Sequence, residues 1–528
     1  MAKYPSIFND VIGPVMRGPS SSHCAASLRI GRICRDLMDG NIRHILIEFD
    51  PNGSLATTHQ SQGSDMGLFG GFLGWDADDE RLPRSDEFLN AEGVNVEISI
   101  CDIGADHPNT YRISLSNALE SHRLTAISTG GGMIEVIDID GAPLSMEGDF
   151  HETLIYCSDP EYVRLFLQKQ MNADDIICHR PSDNDICFIQ VKSQQPMTDE
   201  CFDQLESMSE VIGIKCIDPV LPVMSRQDLY VPFITCAEML SYNQDKGLSL
   251  WELAAEYESI RGNISGEEVF EKMRSIVRVM QHAITTGLKG TSYHDRILGS
   301  QSVQLKSQLE QGRLMGGDVN NVIIMYVSAI MEVKSSMGVI VAAPTAGSCG
   351  ALPGAVLGMS TSMGLSEDEA VKAMLSAGLI GVFIAAHATF AAEVGGCMAE
   401  CGSGSGMAAA ALVGLANGTL EQSLGAASMA LQNALGLICD PIGNRVEAPC
   451  LGRNVMAATN AVSCANMALS HYQHLVPLDE VIETMKKVGD EIHHTLRCTN
   501  LGGLSITNAA KKIEHQLNEQ QRHFFKVC

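Results

Sequence analysis

Three cysteines of this 528-residue sequence are each flanked by glycine or proline: Cys397 in AEVGGC, Cys439 in ICDPIG and Cys450 in EAPCLGRN. Intervals of 42 and 11 residues separate them. Glycine-rich loops let the backbone approach inorganic sulfur closely, and thiolates are the usual ligands of iron–sulfur clusters. Three thiolates leave one iron of a four-iron cluster open to substrate. Scattered cysteines are more often structural, however, so spacing alone does not decide between the two interpretations.

Other metal and nucleotide motifs are weak or absent. Cys397 and Cys401 form a CxxxC, but Gly404 stands where a radical-SAM motif has its third cysteine. The sequence contains no CxxC, no HExxH and no GxxxxGK[ST], which excludes a zincin and a Walker A loop. The run GSGSG at 402–406 resembles part of a dinucleotide fingerprint, but no predicted strand leads into it. We interpret Cys349 and Cys401 as packing residues.

The chain carries a series of short motifs from its N-terminal region to its C-terminal region. They are GPSSSH (18–23), HPNT (107–110), STGGG (128–132), APTAGSCG (343–350), the three cysteine motifs and NLGGLS (500–505). Together they are spread over most of the length of the chain. The sequence resembles the iron–sulfur-dependent L-serine dehydratase (L-serine ammonia-lyase) family, in the single-chain form with fused β-type and α-type domains.

This resemblance implies a [4Fe–4S] cluster on Cys397, Cys439 and Cys450, and no pyridoxal phosphate. An open iron would act as a Lewis acid while a base removes the α-proton, so that L-serine loses water and becomes pyruvate and ammonia. The resemblance also implies a catalytic site built from both domains, and a homodimer. Two alternatives stay open: β-elimination on threonine, cysteine or another β-substituted amino acid, and a non-catalytic amino-acid or redox sensor.

Polar residues of the same motifs are candidates for substrate binding. The resemblance implies that Ser20, Ser21, Ser22 and His23 lie near the substrate carboxylate or the cluster, although serine is also a favoured helix N-cap. A surface turn, a helix cap and a structural ion pair are the ordinary alternatives for the remaining candidates, which are His107 and Asn109, Thr345 and Ser348, and Arg453.

The sequence departs from the family pattern at one position. Family members carry a histidine, a proposed base, in a Gly-His-Gly-Thr-Asp-like run, and Gln62 occupies that position here. Glutamine cannot act as a general base. His59, three residues earlier, is one replacement, and His23 and His107 are others.

The sequence ends in Cys528. Some family members end in a cysteine that reaches the active site, so the resemblance implies a fourth cluster ligand that substrate displaces. An inert terminal thiol is the alternative.

The elements that position these residues change in character along the chain, and together they predict a multidomain α+β protein. Residues 1–150 have short β-patterned runs between Gly, Pro and Asn, which predict a mixed α/β domain, the β-type domain of the resemblance. The predicted strands are His44–Phe49, Val94–Ile100, Tyr111–Leu115 and Met133–Ile139. Residues 151–223 have the order βαββαβ, with the first helix predicted at Pro160–Gln170; this order is ferredoxin-like and resembles an amino-acid-sensing ACT domain. Residues 224–528 predict an all-helical, α-type cluster domain with capping boxes at Ser249/Glu252, Ser265/Glu268, Ser366/Glu369 and Thr419/Gln422.

Composition limits the partners and the compartment. A net charge of −27 disfavours nucleic acid and anionic membranes. Seventeen cysteines without a recognisable secretory signal predict a reducing cytoplasm rather than a disulfide scaffold. Met374–Ala392 is long enough to cross a bilayer, but its Ala- and Gly-rich composition favours a buried helix of a soluble domain.

Overall fold

The computed structural model describes residues 4–181, 187–293 and 296–524. These residues form two compact units. The first, called the helical unit, joins the described residues up to Pro19 with those from Tyr230 onward. The second, called the sheet unit, is Ser20–Leu229. The predicted fold class, mixed α+β with a sheet-rich N-terminal region and a helical C-terminal region, is confirmed at that level.

Strands concentrate in the sheet unit and helices in the helical unit. The strands are β1 Val15–Arg17, β2 His44–Phe49, β3 Asn95–Ile100, β4 Thr110–Ser116, β5 Ser121–Gly130, β6 Met133–Ile139, β7 Ala142–Met146, β8 His151–Cys157, β9 Asp175–His179, β10 Cys187–Ser193, β11 Val211–Ile217 and β12 Val339–Val341. The α-helices are α1 Ala26–Leu37, α2 Leu55–Thr58, α3 Ser64–Phe72, α4 Ser85–Ala91, α5 Pro160–Gln170, α6 Asp199–Glu206, α7 Cys236–Asn243, α8 Leu250–Gly262, α9 Gly266–Gly287, α10 Gln301–Glu310, α11 Asp318–Ser335, α12 Ala351–Met363, α13 Glu367–His387, α14 Ala392–Cys397, α15 Ser403–Leu415, α16 Leu420–Gln432, α17 Cys450–Leu469, α18 Leu478–Glu491 and α19 Asn508–Phe524.

A six-stranded sheet forms the first half of the sheet unit. Its strand order is β3-β2-β4-β5-β6-β7, and β2 pairs parallel with β3 but antiparallel with β4. Alternating residues such as Ile45, Ile47 and Ile113 are buried and share one core with Ile30 and Ile33 of α1. Because side chains alternate across a strand, one face of the sheet is covered by helix while the other carries the polar residues.

The second half of the sheet unit has the order β8-α5-β9-β10-α6-β11. Its four strands form an antiparallel sheet with the spatial order β11-β8-β10-β9. One face packs against α5 and α6 through residues such as Ile155 and Leu205. The opposite face contributes Leu154 and Phe188 to the core of the six-stranded sheet, so the two sheets share a hydrophobic interior.

The helical unit has a long, buried central helix, α13. It is long and apolar enough to cross a membrane, but 78% of its most apolar 18-residue window is buried inside the protein. This burial agrees with the interpretation of the apolar run as a core helix, although the helix ends at His387 rather than Ala392. β1 pairs antiparallel with β12, which anchors the N-terminal segment to the helical unit.

Helix starts follow the predicted capping residues. Ser249/Glu252 and Thr419/Gln422 form complete capping boxes, and another is found at Thr235/Glu238. At Ser265 and Ser366 the serine accepts the N3 backbone N–H as predicted. These bonds satisfy amide groups that have no partner inside the helix.

Glu152 is a buried carboxyl between the two sheets, and it predicts a pH dependence of stability. Its side chain is 1% exposed, Gln190 Nε2 donates to its Oε2 at 2.5 Å, and Lys192 Nζ lies 3.9 Å from Oε1. Burial raises the pKa of Glu152 to about 7 from 4.5. The folded protein therefore holds a proton that the unfolded chain releases between about pH 4.5 and pH 7, so this residue makes the protein less stable as pH rises through that window.

Glu152→Gln is expected to remove this loss, because the amide keeps the bond with Gln190 and has no charge to desolvate. We expect a stability gain of up to about 3 kcal/mol at pH 8 and little change at pH 4.5. Urea unfolding at both pH values measures it. An equal gain at both pH values would contradict the assignment.

Candidate functional site

A glycine brings the segments of Cys397 and Cys439 together. Gly396 has φ +67°, and a Cβ on it would lie 2.8 Å from the carbonyl oxygen of Leu437. The Met398 N–H donates to that same oxygen at 2.9 Å. Only glycine adopts this conformation without strain and leaves room for the neighbouring chain. The second glycine of the GGC motif is therefore required for packing, because it lets the segment before Cys439 lie against the segment of Cys397.

Cys439 is held in turn by the segment that contains Cys498. The Cys439 N–H donates to Leu496 O at 2.8 Å, and the Cys498 N–H donates to Cys439 O at 2.9 Å. The neighbouring Cys498 thiol, followed by burial, raises the pKa of Cys439 well above its usual value. The neighbouring Cys397 thiol and burial raise the pKa of Cys401 in the same way.

Cys450 is the first residue of α17 and completes the predicted triad. It is 7% exposed, and burial followed by the nearby Cys397 thiolate raises its pKa. Cys397 and Cys439 are 3% and 5% exposed and share one apolar cluster with Cys401 and, at its edge, Cys498. The structure thus places Cys397 and Cys439 in one buried cluster, with the buried Cys450 thiol near Cys397.

The donor set fits an iron–sulfur cluster in kind, because buried, soft thiolates on glycine- and proline-flanked segments are what such clusters require. In the described part of the chain, no three His, Cys, Asp or Glu side chains already have a metal-coordinating arrangement.

Arg453 forms a buried ion pair. Its guanidinium donates to Asp440 Oδ1 at 2.5 Å and to Ile438 O at 2.8 Å. Asp440 is 2% exposed, and its other oxygen accepts the Leu504 N–H at 2.7 Å. Arg453 therefore connects α17 to Ile438 and Asp440, the two residues that flank Cys439. Asp440 in turn connects this region to the NLGGLS segment through the Leu504 N–H. A structural ion pair accounts for the contacts of this arginine.

Thr345 and Ser348 lie beside a carboxylate that the sequence analysis missed. Thr345 Oγ1 donates to Glu400 Oε1 at 2.7 Å and lies 3.2 Å from Ser348 Oγ. A Cβ on Gly347 would lie 2.8 Å from both oxygens of Glu400. Burial raises the pKa of Glu400 to about 7, against the hydrogen bond from Thr345. The position of Glu400 three residues after Cys397 was the available signal.

Lys334 is a second residue that the sequence analysis missed. Its side chain is fully buried, and its Nζ donates to Val446 O. Burial lowers its pKa, while Cys349 and Cys450 favour the charged form. A lysine in the last turn of the apolar helix α11 was the available sequence signal. It places a cation beside the segment that leads to Cys450.

In the sheet unit, the N-terminal motifs converge on one chain of hydrogen bonds. His23 Nδ1 lies 3.1 Å from Ser20 Oγ, and its Nε2 lies 3.0 Å from Thr58 Oγ1. Ser54 accepts from Thr58 through its carbonyl and donates through its hydroxyl to Asn109. These contacts join the GPSSSH segment, residues 54–58 and the HPNT turn.

The STGGG motif meets the same region. Ser128 Oγ donates to Ser22 O at 2.8 Å, and the Ser128 N–H donates to Asn109 O at 3.0 Å. Ser21 is buried in the helical turn Ser21–Ala25. The candidate residues Ser20, Ser21, Ser22, His23 and Asn109 thus belong to one neighbourhood of the sheet unit.

The three candidate histidines differ in what surrounds them. Burial lowers the pKa of His23 to about 4, and both of its ring nitrogens have partners. His107 is half-buried, which lowers its pKa, and its Nδ1 accepts the Asn109 N–H at 3.1 Å. His59 Nδ1 lies 2.8 Å from Asp65 Oδ1. Asp65 was not among the predicted site residues, although it stands in the run GSD after Gln62.

Cys528, the predicted fourth ligand, lies outside the described residues. Its role stays a prediction.

Comparison with known proteins bears on this site. The family model described as "Serine dehydratase alpha chain" matches residues 245–505, which include the three cysteines. The "Probable L-serine dehydratase, alpha chain" of Bacillus subtilis (strain 168) is 34% identical over 285 residues, 54% of this chain and 95% of the relative. The "Probable L-serine dehydratase, beta chain" of the same organism is 32% identical over 217 residues, 40% of this chain and 97% of the relative.

A single-chain relative matches as well. The "L-serine dehydratase 1" of Escherichia coli (strain K12) is 33% identical over 283 residues, which is 52% of this chain and 62% of that protein. This chain therefore matches nearly the whole of one alpha chain and nearly the whole of one beta chain of L-serine dehydratase relatives. The chain belongs to the iron–sulfur-dependent L-serine dehydratase family.

Proposed function

We propose that this protein is an L-serine ammonia-lyase that converts L-serine to pyruvate and ammonia with a [4Fe–4S] cluster held by Cys397, Cys439 and Cys450. The observation that carries the proposal is the gathering of these motif thiols in one buried region. Similarity to L-serine dehydratases supports serine deamination. Bound there, the cluster supplies a Lewis acid for the serine hydroxyl.

The chain's own residues have separate tasks. The buried thiols hold the cluster away from bulk water, which protects it and strengthens nearby electrostatic interactions. Lys334 lies beside Cys450 as a buried cation and offsets part of the negative charge that three thiolates bring. Thr345 and Ser348 present hydroxyl groups for substrate binding, and Glu400 orients Thr345.

We assign the proton-accepting role to His59. Its Nδ1 contacts the Asp65 carboxylate, which fixes the tautomer with the proton on Nδ1 and leaves Nε2 able to accept a proton. His23 has partners on both nitrogens, and the Nδ1 of His107 is occupied by its own turn. The His59–Asp65 pair thus compensates for Gln62 at the position of the family histidine.

His59→Gln is expected to lower kcat about 10²- to 10⁴-fold with a much smaller change in KM, because a general base contributes about that factor. Asp65→Asn should give a smaller loss and shift the pH profile of kcat, since it acts through His59. His107→Gln is the control and should retain most activity. A variant at His107 that loses more activity than the one at His59 would reverse the assignment.

The test of the function is anaerobic reconstitution with iron and sulfide, followed by visible absorption and a keto-acid assay with L-serine. Pyruvate release by the brown protein supports the proposal. Keto acid from L-threonine or L-cysteine but not L-serine would favour the other β-elimination. A brown protein that releases no keto acid from any of them would favour the sensor, and a colourless protein would contradict the cluster assignment.

The remaining features extend this proposal. The βαββαβ part of the sheet unit has the element order and the strand order expected of a ferredoxin-like, ACT-like module, so we propose an amino-acid-sensing role for residues 151–223. Residues 1–150 then act as the β-type domain and residues 224–528 as the α-type cluster domain. We propose a cytoplasmic homodimer with a small amino acid as its substrate and a role in amino-acid catabolism.

A further inference from the structure

We propose that Glu400 binds the α-ammonium group of the substrate through its Oε2 atom and thereby restricts the site to amino acids. The inference rests on the proposed function and deepens it, because it names the group that selects the substrate class. L-Serine carries a carboxylate, a hydroxyl and an ammonium group. The cluster is assigned to the hydroxyl, so the ammonium group needs an acceptor of its own.

Glu400 offers a carboxylate oxygen for this purpose. Thr345 Oγ1 donates to its Oε1 at 2.7 Å. In the described part of the chain, no other group hydrogen-bonds the Glu400 side chain and no cation forms an ion pair with it. Glu400 is half-buried, whereas Thr345 and Ser348 are 4% and 0% exposed. Its Oε2 is therefore the acceptor of this patch that a ligand meets first.

The other carboxylates on the segments of the three motif cysteines are engaged or lie apart from this patch. Both oxygens of Asp440 accept hydrogen bonds, one from Arg453 and one from a backbone N–H. Glu447 accepts the two backbone N–H groups of residues 297–298. Glu393 is exposed, and its side chain hydrogen-bonds none of the described residues. Of these four described carboxylates, Glu400 is the one that joins an available oxygen to a contact with the APTAGSCG segment.

Asn454 connects this patch to the predicted cluster ligand Cys450. Its side chain is 0% exposed, and its Nδ2 donates to Gly347 O and to Cys450 O, at 2.9 Å each. A Cβ on Gly347 would lie 2.8 Å from both oxygens of Glu400. One amide group thus spans from the first turn of α17 to the residue that lies against the Glu400 carboxylate. A small amino acid can therefore reach both Glu400 and a cluster held at Cys450.

The surroundings of Glu400 favour a cationic partner. Burial raises the pKa of Glu400 to about 7, so these surroundings give its charged form too little stabilisation. An ammonium group at hydrogen-bond distance supplies that stabilisation, and such a charge-assisted bond is stronger here than in water. A hydroxy acid without the amino group leaves the carboxylate unpaired, so we expect it to bind less tightly than the matching amino acid.

The experiment uses the full-length protein after anaerobic reconstitution and two simple ligands. L-Alanine has the ammonium and carboxylate groups of serine but no hydroxyl, whereas 3-hydroxypropionate has the carboxylate and hydroxyl but no ammonium. Titration calorimetry measures both dissociation constants, and iron and sulfide analysis verifies the cluster. Glu400→Gln is the test variant, because it still accepts the bond from Thr345 but carries no charge. Glu393→Gln is the matched control, the same change on the segment of Cys397.

We expect Glu400→Gln to bind L-alanine about 10- to 100-fold more weakly than the wild type, which is the range for a hydrogen bond to a charged group. The affinity for 3-hydroxypropionate should stay nearly unchanged, and the KM for L-serine should rise by the same factor as the dissociation constant of L-alanine. Glu400→Asp keeps the charge but withdraws it by one methylene, so it should lose less affinity. Glu393→Gln should behave as the wild type.

Three results would overturn the assignment alone: equal weakening of both ligands in Glu400→Gln, unchanged binding of L-alanine by that variant, or the same loss in Glu393→Gln. Each would show that the affinity does not depend on a contact between the ammonium group and Glu400. A wild type that neither binds L-alanine nor releases pyruvate from L-serine would overturn the proposed function, and this assignment with it. The two failures are therefore distinguishable.

Discussion

Cys397→Ser is expected to abolish cluster binding and serine deamination together. A serine hydroxyl is a poor ligand for iron compared with a thiolate, and two remaining thiols cannot hold a site-differentiated cluster. Loss of the Lewis acid removes several kcal/mol of transition-state stabilisation, so turnover should fall on the order of 10³-fold or more. Iron content, sulfide content and visible absorption after anaerobic reconstitution measure the first effect, and pyruvate release measures the second.

The matched control for this variant is Cys401→Ser. Cys401 lies in the helical turn that follows Cys397, is 1% exposed and neighbours the Cys397 thiol. We interpret it as a packing residue that also accepts a bond from Asn454 at 3.6 Å, so its variant should bind iron and turn over serine nearly as the wild type does. Normal cluster content in Cys397→Ser, or equal loss in both variants, would refute the ligand assignment.

Arg453→Met is expected to destabilise the helical unit by about 3 kcal/mol, because removing one partner of a buried ion pair leaves an uncompensated charge. Here the orphaned group is Asp440, which is 2% exposed and also holds the Leu504 N–H. The Ile438 carbonyl loses a donor at the same time. Looser segments on both sides of Cys439 should lower iron loading. Urea unfolding and iron content after reconstitution measure the two effects.

The double variant Arg453→Met with Asp440→Asn separates a structural role from a substrate-binding one. The asparagine carries no charge to bury, so the double variant should recover part of the lost stability relative to Arg453→Met alone. If Arg453 instead binds the substrate carboxylate, the single variant would raise KM at unchanged stability and iron content. That outcome would return Arg453 to the list of substrate-binding residues.

Local pattern was sufficient for several elements of the fold. The runs His44–Phe49 and Met133–Ile139 were predicted as strands and have those bounds, and Pro160–Gln170 is a helix with the predicted ends. Hydrophobic residues recur with the period of a strand in the first two and of a helix in the third, and turn-forming residues stand beside each of them. β5 was not predicted, because its N-terminal half carries polar residues such as Ser121 and Arg123 and its end runs into the glycines of STGGG.

The sequence named candidate ligands but not the residues that surround them. Motif resemblance named Cys397, Cys439 and Cys450, and their role as cluster ligands stays a prediction. The contact of Asp65 with His59, the bond from Thr345 to Glu400 and the pair Asp440–Arg453 were not predicted. Periodicity and spacing describe neighbours along the chain, whereas two of these three contacts join residues from separate elements.

The sequence by itself determined the family and the helical and sheet-rich regions, because these depend on residue type, order and local period. Only the tertiary structure decided that Arg453 forms a buried ion pair and that His59 has a carboxylate partner. Cys498 illustrates the difference: 59 residues separate it from Cys439 in the sequence, but its N–H donates to the Cys439 carbonyl oxygen. Such contacts depend on how distant segments pack, which no local pattern encodes.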